Sequence, residues 1–163
     1  LHHKQNDMPY EYHAKVTDVV DGDTVVVDID LGFDVKLTDQ KVRLLGVDTP
    51  ESRTSDKIEK VFGLVSKDFA KKFIDGCKDK YVILRTHISD DVDSSGREKF
   101  GRLLGEIVHP ETKKVLNDEL ISSGYAVRYM GENKDKVQGQ HKINRKRLID
   151  EGIVKLSYKE AGI

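Results

Sequence analysis

The sequence predicts an α+β fold, a small closed barrel of five short strands with about three helices around it. Three observations predict it. Two β-rich runs flank Asp21-Gly22-Asp23, the pattern of a tight hairpin. Ile58, Val61, Phe62, Val65, Phe69 and Phe73 recur at three- and four-residue steps, the period of an amphipathic helix. Two more apolar runs follow that helix, and helical patterns close the chain.

Residues 1–10 read as a flexible leader, 11–151 as one domain and 152–163 as a tail. Tyr12 to Val20 is a first strand. Thr24 to Ile29 is a second, with room to run on past Asp30-Leu31-Gly32 into Phe33–Leu37. Thr38-Asp39-Gln40 turns the chain into an apolar central strand, Lys41 to Val47. Thr49-Pro50 then suits a helix start, with Thr49 as N-cap and Pro50 in the first helical position. Gly76 suits the left-handed glycine that stops the long helix. Tyr81–His87 is a fourth strand, Ser89–Gly96 a polar loop, and Arg102–Val108 a fifth strand. Asn117 caps a short helix that ends before Gly124, and Val137–Ile149 forms a last, strongly basic helix. Three β runs, a helix and two β runs suit a Greek-key barrel of the OB type, which often binds nucleic acids or sugars. The fold alone does not set the function.

At 163 residues the chain fits one domain with a real core. Hydrophobic content of 37% against 35% charged describes a soluble globule rather than a disordered chain. No run approaches the ~18 apolar residues of a membrane span, and the N-terminus lacks the apolar stretch of a secretory signal. The expectation is a soluble monomer, secreted or cytoplasmic, without membrane contact. Cys77 stands alone, which excludes an internal disulfide and a thiolate zinc cluster. His87, His109 and His141 lack ligand spacing and read as structural or surface residues. A net charge of −1 argues against blanket attraction to nucleic acid but leaves room for a local basic face.

Chemistry concentrates in four fragments: Asp21-Gly22-Asp23-Thr24, Arg43, Asp48-Thr49-Pro50-Glu51 and Phe100-Gly101-Arg102. Phosphodiester hydrolysis needs an activated water and charge neutralisation on the phosphoryl oxygens. A carboxylate can take the proton of the water. Arginines grip phosphate oxygens through two parallel hydrogen bonds. Carboxylate and carbonyl oxygens suit a hard cation. Each fragment is common alone, since Asp-Gly turns and strand arginines serve structure as well. The ordered set is specific.

That ordered set, with a long helix between the third and fourth strands, resembles the staphylococcal nuclease (thermonuclease) family from about Tyr12 to Ile149. The resemblance implies a calcium-dependent endonuclease that cleaves DNA and RNA, leaving 3′-phosphate and 5′-hydroxyl ends. By similarity, Asp23, Asp48 and the Thr49 carbonyl ligate Ca²⁺, with Asp21 near the cation through water. Glu51 activates the attacking water. Arg43 and Arg102 clamp the phosphate, and Arg102 assists the leaving oxygen. Lys99 and Tyr129 are further substrate contacts, Tyr129 by stacking on a base. Tyr125 reads as barrel packing. One departure stands out: Phe100 replaces the tyrosine usual before Gly-Arg, and phenylalanine cannot hydrogen-bond a phosphate.

Asp91-Val92-Asp93 opens like a calcium-binding EF-hand loop, but the twelfth position is Arg102 where a glutamate is required. The basic run from Lys134 to Arg147 reads as a solvated face. The alternative is a non-catalytic nucleic-acid-binding or scaffolding domain of the same fold. Retention of Arg43, Arg102, Glu51 and the aspartates argues against it. A plain calcium-binding module would need no phosphate-clamping arginines.

Overall fold

The computed structural model describes residues 10–86, 101–131 and 133–163. The expected leader up to residue 9, the Ser89–Gly96 loop, Lys99 and Phe100 lie outside the described residues. In chain order the strands are β1 (Tyr10–Asp21), β2 (Thr24–Asp30), β3 (Lys36–Leu44), β4 (Val47–Asp48), β5 (Tyr81–Thr86), β6 (Leu103–Val108) and β7 (Val127–Arg128). The helices are α1 (Lys57–Asp75), α2 (Leu116–Ser122) and α3 (Lys134–Asp150). Five strands close a barrel in the order β1-β2-β3-β6-β5. Every pairing is antiparallel except β3 with β6. This is the α+β, OB-type barrel that the sequence predicts. No helix among the described residues is long and apolar enough to cross a membrane.

The barrel interior follows the alternation of a strand, one side chain inward and the next outward. Val25 and Val27 of β2, Val42 and Leu44 of β3, and Leu84 and Ile107 are all buried. Arg43, between Val42 and Leu44, therefore points out of the barrel. Ala70 and Ile74 of α1 and Leu116 and Leu120 of α2 extend the same core. A second cluster forms where Phe62 of α1 meets Leu148 of α3, Val154 and Ala161. Residues 152–163, expected as a tail, thus bury two side chains although they hold no helix or strand. Arg145 fastens this segment by donating from Nη1 to the Ala161 carbonyl at 2.9 Å.

Several local expectations change. Thr38-Asp39-Gln40, expected as a turn, lies within β3, and Lys36 and Leu37 belong to β3 rather than to a continued β2. The central apolar run is two strands, because Gly46 adopts a left-handed φ of +77° and turns the chain out of the barrel. Val47-Asp48 then pairs with Val127-Arg128 as a separate two-stranded ladder. Thr49 does not cap α1. Asp56 does, accepting from the amides of Ile58 and Glu59, because α1 begins only at Lys57, well beyond Thr49. Gly76 ends α1 in a right-handed conformation, φ −72°, so its freedom at positive φ is not what stops the helix. Asn117 lies inside α2, where its side chain accepts from the Ile107 amide and donates to the carbonyls of Leu45 and Gly105.

Candidate active site

The site grows from the β1–β2 turn. Asp21 pairs with Thr24, so Gly22-Asp23 is a two-residue connection. A Cβ on Gly22 would stand 3.0 Å from both Ser66 Cβ and Thr49 Cγ2, so the bare glycine lets the turn sit directly against α1 and Thr49. Asp23 is buried. Its carboxylate accepts from Thr24 Oγ1 at 3.0 Å and from the Thr49 amide at 3.1 Å. A buried carboxylate also needs an opposite charge. Arg43, paired across the sheet with Thr24, places Nη2 at 3.4 Å from Asp23 Oδ2.

The same nitrogen lies 3.7 Å from Asp48 Oδ1. Arg43 is fixed by its other arm, since Nη1 donates to the Val47 carbonyl at 2.8 Å and to the Leu44 carbonyl at 3.1 Å. The turn at Gly46 thus folds Asp48 back over β3, and two carboxylates from distant parts of the chain converge on one guanidinium. The second oxygen of Asp48 meets His141 of α3, whose Nε2 lies 2.8 Å from Oδ2. Sequence reasoning missed His141. Its spacing from Val137 and Leu148, both buried with it, marks the inner stripe of α3 and was the available signal.

Thr49 is buried with Oγ1 unpaired. Glu51 is exposed just beyond it, held through its neighbours. Ser52 gives both its amide, at 3.1 Å, and its hydroxyl to Asp21 Oδ1. Asp21, expected beside the cation, thus anchors the Glu51 segment. Gly63 of α1 completes the cradle: a Cβ there would stand 2.2 Å from the Glu51 carbonyl oxygen. One turn earlier on α1, burial followed by repulsion from Glu51 and Asp56 pushes the Glu59 carboxyl above its ordinary pKa. Arg145 and His141 pull it partly back.

Arg102 stands one residue before β6. The parallel register sets Val42 against Leu103 and Arg43 against Leu104. Since Val42 and Leu103 face inward and are buried, alternation puts Arg102 on the outer side of the barrel wall that carries Arg43. Tyr129 follows β7, its amide donating to the Gly46 carbonyl at 2.9 Å, beside the turn that positions Asp48. Tyr125 stacks on Phe69 with ring centroids 4.6 Å apart, the packing role expected of it. Lys99 lies outside the described residues.

The donors gathered here, two carboxylates and nearby backbone carbonyls, are hard oxygens. They fit a hard divalent cation of the Ca²⁺ or Mg²⁺ kind rather than a soft metal. Among the described residues no group of three or more His, Cys, Asp or Glu side chains is placed to hold a metal. A cation here would draw the rest of its shell from backbone carbonyl, water and a bound phosphate.

Fold and site together define a nuclease-like barrel domain. The family model for staphylococcal nuclease homologues matches residues 41–148, and the chain belongs to that family. Asp23 lies ahead of the matched span. An uncharacterized protein of Methanocaldococcus jannaschii is 34% identical over 85% of this chain and 72% of its own length. The endonuclease YhcR of Bacillus subtilis is 31% identical over 73% of this chain, which spans only 9% of that protein. The thermonuclease of Staphylococcus hyicus is 29% identical over 71% of this chain and 59% of its own length.

Proposed function

We propose that the chain is a calcium-dependent nuclease that hydrolyses phosphodiester bonds of DNA and RNA and leaves 3′-phosphate and 5′-hydroxyl ends. The observation that carries this reading is the convergence of Asp23 Oδ2 and Asp48 Oδ1 on Arg43 Nη2 at 3.4 and 3.7 Å. The names of the bacterial relatives support it. Asp23, Asp48 and the Thr49 carbonyl would hold the cation, which when bound neutralises phosphate charge and lowers the pKa of a water.

The rest is the work of the chain. Glu51, exposed at the rim, takes a proton from the attacking water as its oxygen bonds to phosphorus. Arg43 and Arg102 donate to the phosphoryl oxygens, whose negative charge grows in the transition state. The bond from phosphorus to the 5′ oxygen breaks. Arg102 donates a hydrogen bond to that oxygen, which takes its proton from solvent water, and the phosphate stays on the 3′ oxygen. Tyr129, beside the Gly46 turn, offers a ring face to a substrate base, and Lys99 a charge to its backbone.

The test is an assay of single- and double-stranded DNA and RNA with chelator, Ca²⁺ or Mg²⁺, followed by end-group analysis. The expected result is cleavage of both DNA and RNA that stops on chelation, returns with Ca²⁺ and yields 5′-hydroxyl ends. Nucleic-acid binding without cleavage under every condition would make the chain a non-catalytic binding domain instead.

A further inference from the structure

We propose that His141 is a positioning residue for cation capture, holding Oδ2 of Asp48 so that Oδ1 faces Asp23 as the oxygen that meets the metal. This rests on the reading of Asp23 and Asp48 as cation ligands. An ionised carboxylate has no proton to give, so His141 Nε2 is the donor across the 2.8 Å contact. Asp48 Oδ1 is the oxygen on the Asp23 side, since it shares Arg43 Nη2 with Asp23 Oδ2. One oxygen of Asp48 is thus tied back and the other turned toward its partner acid.

His141 can do this because its own position is fixed. Its side chain is 10% exposed, whereas that of Asp48 is 34% exposed, so the buried ring restrains the more open carboxylate. Val137 and Leu148 seat α3 on either side of it. Asn144, one turn further on, donates from Nδ2 to the Ala126 carbonyl at 3.1 Å. Ala126 directly precedes β7, whose Val127 pairs with Asp48. Helix and ligand are therefore anchored to the same two-stranded ladder. Hydrogen-bonded partners behind a ligating group hold its geometry, and their loss commonly costs 10–100-fold in metal affinity.

The experiment is calorimetric titration of Ca²⁺ into wild-type, His141→Ala, His141→Gln and Asn144→Ala proteins, with the Tm of each in chelator. His141→Ala is expected to weaken Ca²⁺ binding about tenfold or more. Glutamine, which keeps an N–H donor, should recover a large part of that loss. Asn144→Ala loosens the helix that carries the ring but keeps the donor, so it should lower Tm and weaken Ca²⁺ binding clearly less than His141→Ala does. His141→Ala binding like wild type overturns the inference. So does Asn144→Ala weakening the cation as much as His141→Ala, or glutamine binding no better than alanine. Wild-type protein that takes up no Ca²⁺ overturns the cation reading itself, a result distinct from all of these.

Discussion

Arg43 Nη2 lies 3.4 Å from Asp23 Oδ2, and this pair ties the β1–β2 turn to β3. The guanidinium also reaches Asp48 and two backbone carbonyls. Arg43→Ala should therefore do more than remove a phosphate clamp. It leaves a buried aspartate without its cation, which typically costs about 3–5 kcal/mol. Chemical denaturation in chelator checks this. Added Ca²⁺ should raise the Tm of the variant more than that of wild type, since two carboxylates are left to repel each other.

Gly63 should resist replacement by alanine. The added methyl would stand 2.2 Å from the Glu51 carbonyl oxygen, so α1 or the Glu51 segment must move. Overpacking of this kind costs about 1–3 kcal/mol, against roughly 1 kcal/mol of helix propensity gained. Kinetics should show kcat falling more than KM, because the displaced group is the one assigned to activate water.

Asn117 ties β6 and the end of the central run to α2 through three hydrogen bonds. Asn117→Ala removes the partner of the Ile107 amide and of the Leu45 carbonyl, each at about 1–3 kcal/mol, whereas the Gly105 carbonyl keeps the Leu45 amide at 2.8 Å. The variant should lose several kcal/mol in a urea titration, whereas a helix-cap substitution would lose about 1 kcal/mol.

Glu59 gives a pH signature. Its carboxyl is pushed up by burial first, then by Glu51 and Asp56, so the folded protein holds this proton more tightly than the unfolded chain does. Stability from this group is greatest below the ordinary glutamate pKa of about 4.3 and falls as pH rises through the raised folded value. Glu59→Gln should therefore be more stable than wild type at neutral pH. That advantage should vanish in acid, below the unfolded pKa. Paired melting curves across pH would show it.

Much of this was legible in the residues. The Asp-Gly hairpin, the periodicity of α1 and the order of the β runs were enough for a five-stranded barrel, because strand alternation and helix spacing are local signals. Asp23, Arg43 and Asp48 stood out as chemistry, and the structure brings them together. The joints were less legible. Gly46 interrupts an apolar run that reads as continuous, and only its left-handed backbone shows the break. Asn117 reads as a cap because its type suits one, whereas three backbone groups claim its side chain. His141 sits in a lysine-rich helix whose inner stripe is short and mixed, so its meeting with Asp48 depends on tertiary packing that no local pattern encodes.

Cleavage of single-stranded DNA by the wild-type chain, beside Glu51→Gln and Arg102→Ala, tests the central claim most directly. The wild type should cut with Ca²⁺ and stop with chelator. Both variants should fall by about a hundredfold or more while their melting curves stay near wild type. Wild-type rates in both variants, or undiminished cutting in chelator, would contradict the account.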